Sequence, residues 1–164
     1  MLVNFESLAD TSRVWIYQSD REFLESEVVK ISDKVEEFIE DWLGHGDQIK
    51  ASFLIKYNQF IIIAADQHYN DVSGCSIDSS VKFIKKLENE FQLDLTNKLN
   101  ISFKHRDSIN IVSMADFQKY AQEQKITSNT VVFNNMVTTK EDLIKNWEVT
   151  AENSWHKRFL VESV

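Results

Sequence analysis

The residues best suited to chemistry in this chain lie between Asp66 and Ser80. There Asp66-Gln67-His68-Tyr69-Asn70-Asp71-Val72-Ser73-Gly74-Cys75-Ser76-Ile77-Asp78-Ser79-Ser80 crowds short polar side chains around one thiol. A buried strand is predicted to end here and a helix to begin. Helix starts carry unpaired N–H groups and the positive end of the helix dipole, which attract anions and favour a thiolate. Ser73, Gly74, Ser76 and Asp78 are the candidates for holding a small anionic partner at such a start. Cys75 is the candidate nucleophile, with His68 or His45 as base and Asp78 assisting. The plainer reading has Ser76 or Asp78 capping the helix and Cys75 filling a small buried space. Asp66, His68 and Cys75 are acceptable ligand types, but their spacing matches no specific metal motif, so no metal is expected.

A second candidate surface is aromatic. In Arg13-Val14-Trp15-Ile16-Tyr17, alternation puts Arg13, Trp15 and Tyr17 on one strand face. Such a face, left open, would serve as a protein-binding hot spot or a base-stacking platform. Covered, the same residues are ordinary core. Acidic Glu36, Glu37, Glu40 and Asp41 would dock a basic partner or form a solvated helix face, and Lys82, Lys85 and Lys86 read as a solvated face. His45, between Gly44 and Gly46, sits in a turn that serves proton transfer or chain reversal equally well. Asn134, Trp155 and His156 are further polar and aromatic candidates at element edges.

The elements that must position these residues follow from periodicity. Arg13–Tyr17 is predicted as a strand, and Ser19-Asp20-Arg21-Glu22 matches a capping box. Phe23, Leu24, Val28, Ile31, Val35, Phe38, Ile39 and Trp42 then recur at steps of three and four, one helical stripe that Gly44 is expected to stop. Lys50–Tyr57 and Phe60–Ala65 read as a hairpin turning at Asn58-Gln59, its second strand buried. A second helix turns Ile77, Val81, Ile84, Leu87 and Phe91 inward. Strands follow at Asn100–His105 and Ile109–Val112, a short helix near Asp116–Glu123, a strand at Thr130–Phe133, and a helix capped by Thr138-Thr139-Lys140-Glu141. The first six elements match a split βαβ, ferredoxin-like order. The expected fold is therefore α+β: an antiparallel sheet with helices on one face, plus a C-terminal α/β extension packed on the same core. No linker or repeat divides the chain, so residues 1–164 read as one domain.

Composition removes several functions. The 164 residues carry 18 basic and 26 acidic side chains, net −8, which makes nucleic acid an unlikely partner. Glycine occurs only at 44, 46 and 74. Neither a G-x-x-x-x-G-K-[ST] phosphate loop nor a G-x-G-x-x-G dinucleotide turn can be built from these, and no cofactor is expected. Cys75 is the sole cysteine, so an internal disulfide is impossible. No apolar run approaches the ~18–20 residues of a membrane span, and the acidic N-terminus does not resemble a signal peptide. A cytoplasmic protein is expected.

Ser12-Arg13-Val14-Trp15-Ile16-Tyr17-Gln18-Ser19, Ser73-Gly74-Cys75-Ser76-Ile77-Asp78-Ser79-Ser80, Val132-Phe133-Asn134-Asn135 and Ser154-Trp155-His156 together resemble a family of small bacterial proteins, widespread in the Bacteroidota and often labelled "ABC transporter ATPase". The resemblance spans nearly the whole chain and implies a bacterial, cytosolic origin, but no activity. The ATPase label conflicts with the residues, which supply no phosphate loop and no Walker-type lysine. The expectation is a non-enzymatic binding or adaptor protein with a protein or small anionic partner, the alternative a small thiol enzyme or redox protein centred on Cys75.

Overall fold

The computed structural model describes residues 1–67 and 73–161. The fold is mixed α+β with antiparallel sheets, and it forms two compact units. The first comprises Met1–Thr96 with Thr138–Glu141, the second Asn97–Val137 with Asp142–Val164. Among the described residues, no helix is long and apolar enough to cross a membrane.

In the first unit the order is β1 (Arg13–Gln18), α1 (Glu25–Glu40), β2 (Leu43–Gly44), β3 (Asp47–Gln48), β4 (Ala51–Lys56), β5 (Phe60–Ala65) and α2 (Gly74–Phe91). The sheet runs β1-β5-β4, with Trp15 opposite Ile63 and Phe53 opposite the same residue from the other side. Every residue of β5 is buried, as a continuous apolar run requires of a central strand. Ile61, Ile63 and Ala65 face a core shared with Ile31, Val35 and Ile39 of α1 and Ile84 and Leu87 of α2.

Several local expectations shift by a turn or less. Helix α1 begins at Glu25 rather than behind a Ser19 cap, because the Ser19 hydroxyl is engaged with the backbone of Arg21. The Glu27 carboxylate accepts from Leu24 N–H at 2.9 Å, and it holds Arg21 at 2.8 Å. Those two donors keep the carboxyl at about 2, the Arg21 side chain contributing most. Gly44 does not stop α1, which ends at Glu40. It ends β2 of the short β2–β3 hairpin instead, whose turn places His45 and Gly46 at φ 53° and 85°. The β4–β5 turn uses Tyr57 and Asn58 at φ 55° and 50°. Positive φ at both central residues gives the turn twist that suits hairpin strands, here without glycine.

The strand order departs from the split βαβ pattern at its fourth strand. That pattern would set Asn100–His105 beside β1. The edge of β1 is covered by Thr138–Lys140 instead: Val14 N–H donates to Thr138 O, Lys140 N–H to Ser12 O, and Arg13 bridges Thr139. The Lys140 ammonium is buried, donates to the carbonyls of Glu6 and Leu8 at 3.1 and 2.7 Å, and stands over the Phe5 ring. This clamp holds the N-terminal segment onto the first unit.

The second unit contains β6 (Asn100–His105), β7 (Ser108–Ser113), α3 (Met114–Gln122), β8 (Val131–Phe133) and β9 (Glu148–Thr150), with sheet order β7-β6-β8-β9. Helix α4 (Lys140–Asn146) carries the chain from Glu141 of the first unit into the second. Ile101, Phe103, Phe117, Ala121, Ile126, Val132 and Ala151 form a hydrophobic cluster of this unit's own. Its β6–β7 turn again uses left-handed non-glycine residues, Arg106 and Asp107 at φ 50° and 66°.

Candidate functional site

The candidate site is a groove of about 490 Å³ between α1 and α2 in the first unit. Two helical stripes line it. Lys34, Glu37, Phe38 and Asp41 recur at steps of three and four along α1, and Ser79, Phe83, Lys86, Leu87 and Glu90 do the same along α2, with Trp42 and Leu43 beyond the end of α1. The helices run antiparallel. Lys34 pairs with Glu90 at 3.1 Å, Phe38 stacks on Phe83, and the Trp42 indole N–H reaches the Ser76 carbonyl at 2.9 Å.

The floor is aromatic and rigidly held. The Phe38 and Phe83 rings lie 4.5 Å apart and only 7° from parallel, both half-buried. Trp42 packs on Phe38 at 5.2 Å, and Trp15 meets Trp42 edge-on from behind at 5.9 Å. With its N–H bonded to Ser76, Trp42 offers the groove an apolar surface and no spare donor. The Ser76 hydroxyl donates to Leu43 O at 2.7 Å, which ties the start of α2 to the segment after α1. The charge available to a ligand therefore lies on the rim, in Glu37, Asp41, Lys86 and the Lys34–Glu90 pair, with the Ser79 hydroxyl beside them.

The residues singled out from the sequence fall in several places. Trp15 and Tyr17 do not form an open sheet face. They are half-buried on the helix side and pack on the core, with the Arg13 guanidinium 5.1 Å from the Trp15 ring centre. Two helices lie over that face because β1, β4 and β5 all turn large apolar residues towards them. Burial raises the Tyr17 phenol above its ordinary value, opposed by a hydrogen bond with Ser80. Ser73, rather than Ser76 or Asp78, caps α2, its hydroxyl accepting from Ser76 N–H at 3.2 Å. Ser76 is buried and structural, while Gly74 and Asp78 are exposed on the first turns.

Cys75 is exposed on the first turn of α2, not a buried filler, and no side chain among the described residues bonds its thiol. His45 is exposed in the β2–β3 turn, and His68 lies outside the described residues. Asn134, Trp155 and His156 belong to the second unit. The Asn134 side chain accepts from Met136 N–H at 3.1 Å. His156 is fully buried, stacked on Trp155 at 3.9 Å, its Nδ1 2.7 Å from the Ser154 hydroxyl. Burial, reinforced by the charge of Arg158, pushes the imidazole down to about 4, so it is neutral at pH 7.

Sequence reasoning placed Phe38 and Trp42 on the α1 stripe but passed over Phe83. The inward face of α2 is Ser76, Ser80, Ile84 and Leu87, with Val81 exposed, so it is rotated from the expected one. Ser73, Ser76, Ser80, Phe83 and Leu87 recur at steps of three and four, a signal hidden by the polarity of its first three members. Comparison with protein-family models, with curated proteins and with solved structures returned no match to this chain.

Proposed function

We propose that this is a non-enzymatic binding or adaptor protein that captures a protein partner in the α1–α2 groove. The observation that carries the reading is the stacked Phe38–Phe83 pair, half-buried at the surface over a floor whose polar atoms are already bonded. A volume of about 490 Å³ lies within the ~300–1,000 Å³ of small-ligand sites, and exposed Leu43, Glu37, Asp41 and Lys86 leave its mouth open to a polypeptide. Surface aromatics are where binding energy concentrates in protein interfaces. The test compares partners retained by the wild-type protein with those retained by Phe38→Ala, Phe83→Ala and, as a control away from the groove, Leu99→Ser. Loss of the same partner from both groove variants, with circular dichroism unchanged, supports the proposal. Retention of every partner by folded groove variants sinks it.

The first unit reads, within the same proposal, as a ferredoxin-like arrangement short of its fourth strand. Strand order β1-β5-β4 with both helices on one face supports this. The bacterial, cytosolic setting implied by the family resemblance belongs to it too, and an exposed unpaired cysteine suits a reducing compartment.

One observation favours a second reading, a thiol-based activity: Cys75 is exposed on the first turn of a long helix. That reading requires alkylation at neutral pH faster than that of a cysteine in an unfolded peptide. A rate equal to the peptide's retires it.

A further inference from the structure

Resting on the groove reading above, we infer that the occupant is an amphipathic segment of another protein, with large apolar side chains on the floor and lysine or arginine against Glu37 and Asp41. Charge complementarity selects it. Of the rim charges, Lys34 is neutralised by Glu90, which leaves two carboxylates and one ammonium, Lys86. The antiparallel helix pairing separates Asp41 from Lys86 along the groove, with Glu37 nearer the level of Lys86. Lys86 lies near the Lys34–Glu90 end, whereas Asp41 lies at the Trp42–Leu43 end, opposite uncharged Ser76 and Ser79. Asp41 caps the end of α1 one turn beyond Glu37, neither is ion-paired among the described residues, and no basic residue occupies the last turn of α1.

The dipole ends of α1 and α2 meet at this level with opposite signs and largely offset each other, so the carboxylates decide the local field. A cationic side chain one turn from an apolar anchor would satisfy both carboxylates while its neighbour covers Phe38 and Phe83. An acidic occupant would meet them unpaired. The floor carries no free donor or acceptor, so a ligand needing buried hydrogen bonds gains nothing there.

The experiment uses the full chain and two synthetic amphipathic peptides with identical leucine and tryptophan positions, one with lysine and one with glutamate at its polar positions. NMR shifts of Phe38, Phe83 and the Trp42 indole report where each binds. The lysine peptide is expected to move all three signals and to bind about fivefold or more tighter at low salt, fading as salt rises, the size two surface charges provide. Glu37→Lys with Asp41→Lys should invert the preference, whereas Asp33→Asn with Glu36→Gln, on the same helix outside the groove, should leave a clear preference for lysine. Equal binding of both peptides at the groove overturns the charge assignment and leaves the groove reading standing. A lysine preference that survives the double charge reversal, or that moves other signals only, overturns it as well. If neither peptide moves the groove signals, both readings fail. A response to indole alone then assigns the groove to a small molecule, and concentration-dependent shifts without peptide assign it to a second copy of this chain.

Discussion

Two aromatic gatherings among the described residues, one in each unit, treat their polar atoms in opposite ways. In the first unit Trp15, Trp42, Phe38 and Phe83 form a row that ends at the surface groove, and the Trp42 N–H is bonded to Ser76. In the second, Phe103, Phe117, Trp155, His156 and Phe159 pack around one another, and Trp155 Nε1 and His156 Nε2 are buried with no partner among the described residues. An unpaired buried polar atom costs on the order of 1–3 kcal/mol. The second cluster therefore carries a local penalty that its apolar packing must offset. The first carries none and leaves ring surface uncovered. That contrast separates a site offered to a partner from a site turned inward.

The strongest way to break the contrast is to hollow out each cluster. Phe117 is fully buried and touches Phe103, His156 and Phe159. Phe117→Ala should cost about 3–5 kcal/mol by denaturant unfolding. A loss below ~1 kcal/mol would mean that the second cluster is loosely packed and its unpaired atoms reach water.

The next test is acid. His156 is depressed to about 4 by burial first and the Arg158 charge second, against an unfolded value near 6.5. Its folded form thus binds fewer protons than its unfolded form between those values. The stability it protects is complete above about pH 6.5 and is lost progressively as pH falls towards 4, on the order of 3 kcal/mol in all. His156→Phe should flatten that part of the stability-versus-pH curve. At pH 7 the substitution removes one unpaired polar atom but also the bond to the Ser154 hydroxyl, so stability there should change little. An unchanged acid slope in the variant would show that other groups control it. Among the described residues no histidine lines the groove, so peptide binding there should not follow this titration.

Phe83 sharpens the comparison from the other side. Half-buried at the groove, it should cost only about 1–2 kcal/mol on truncation to alanine, roughly half the value of a fully buried phenylalanine. A loss as large as that of Phe117→Ala would make the stacked pair part of the core rather than a surface held ready.

How much of this was legible in the sequence depends on where each signal resides. Helix α1 and the β4–β5 hairpin were readable because their apolar periodicity is local and strong. The turns at Tyr57–Asn58 and Arg106–Asp107 were harder, since left-handed backbone is usually marked by glycine and here is not. The face of α2 was misplaced because two of its buried positions are Ser76 and Ser80, whose hydroxyls are bonded to the carbonyls of Leu43, across the fold, and of Ile77, one turn back in the helix. The strand order failed at β6 for a nonlocal reason: Thr138–Lys140 covers the edge of β1, and no local pattern announces that. The groove requires knowing that Phe38 and Phe83, distant in sequence, stack across two antiparallel helices.

The smallest effect tests whether the groove's closed end is rigid. Lys34 and Glu90 pair at 3.1 Å with side chains 40% and 48% exposed, so solvent screens them and the pair should contribute under about 1 kcal/mol. Lys34→Met should therefore leave unfolding almost unchanged. It should nevertheless alter binding, because it frees Glu90 as a third carboxylate on the rim and so favours a lysine-bearing peptide further. A gain of about two- to fivefold for that peptide, with stability intact, would show that the pair tunes recognition rather than folding. A stability loss well above 1 kcal/mol would instead mean that the ion pair holds α1 and α2 together, and the groove would then belong with the packed interior of the first unit.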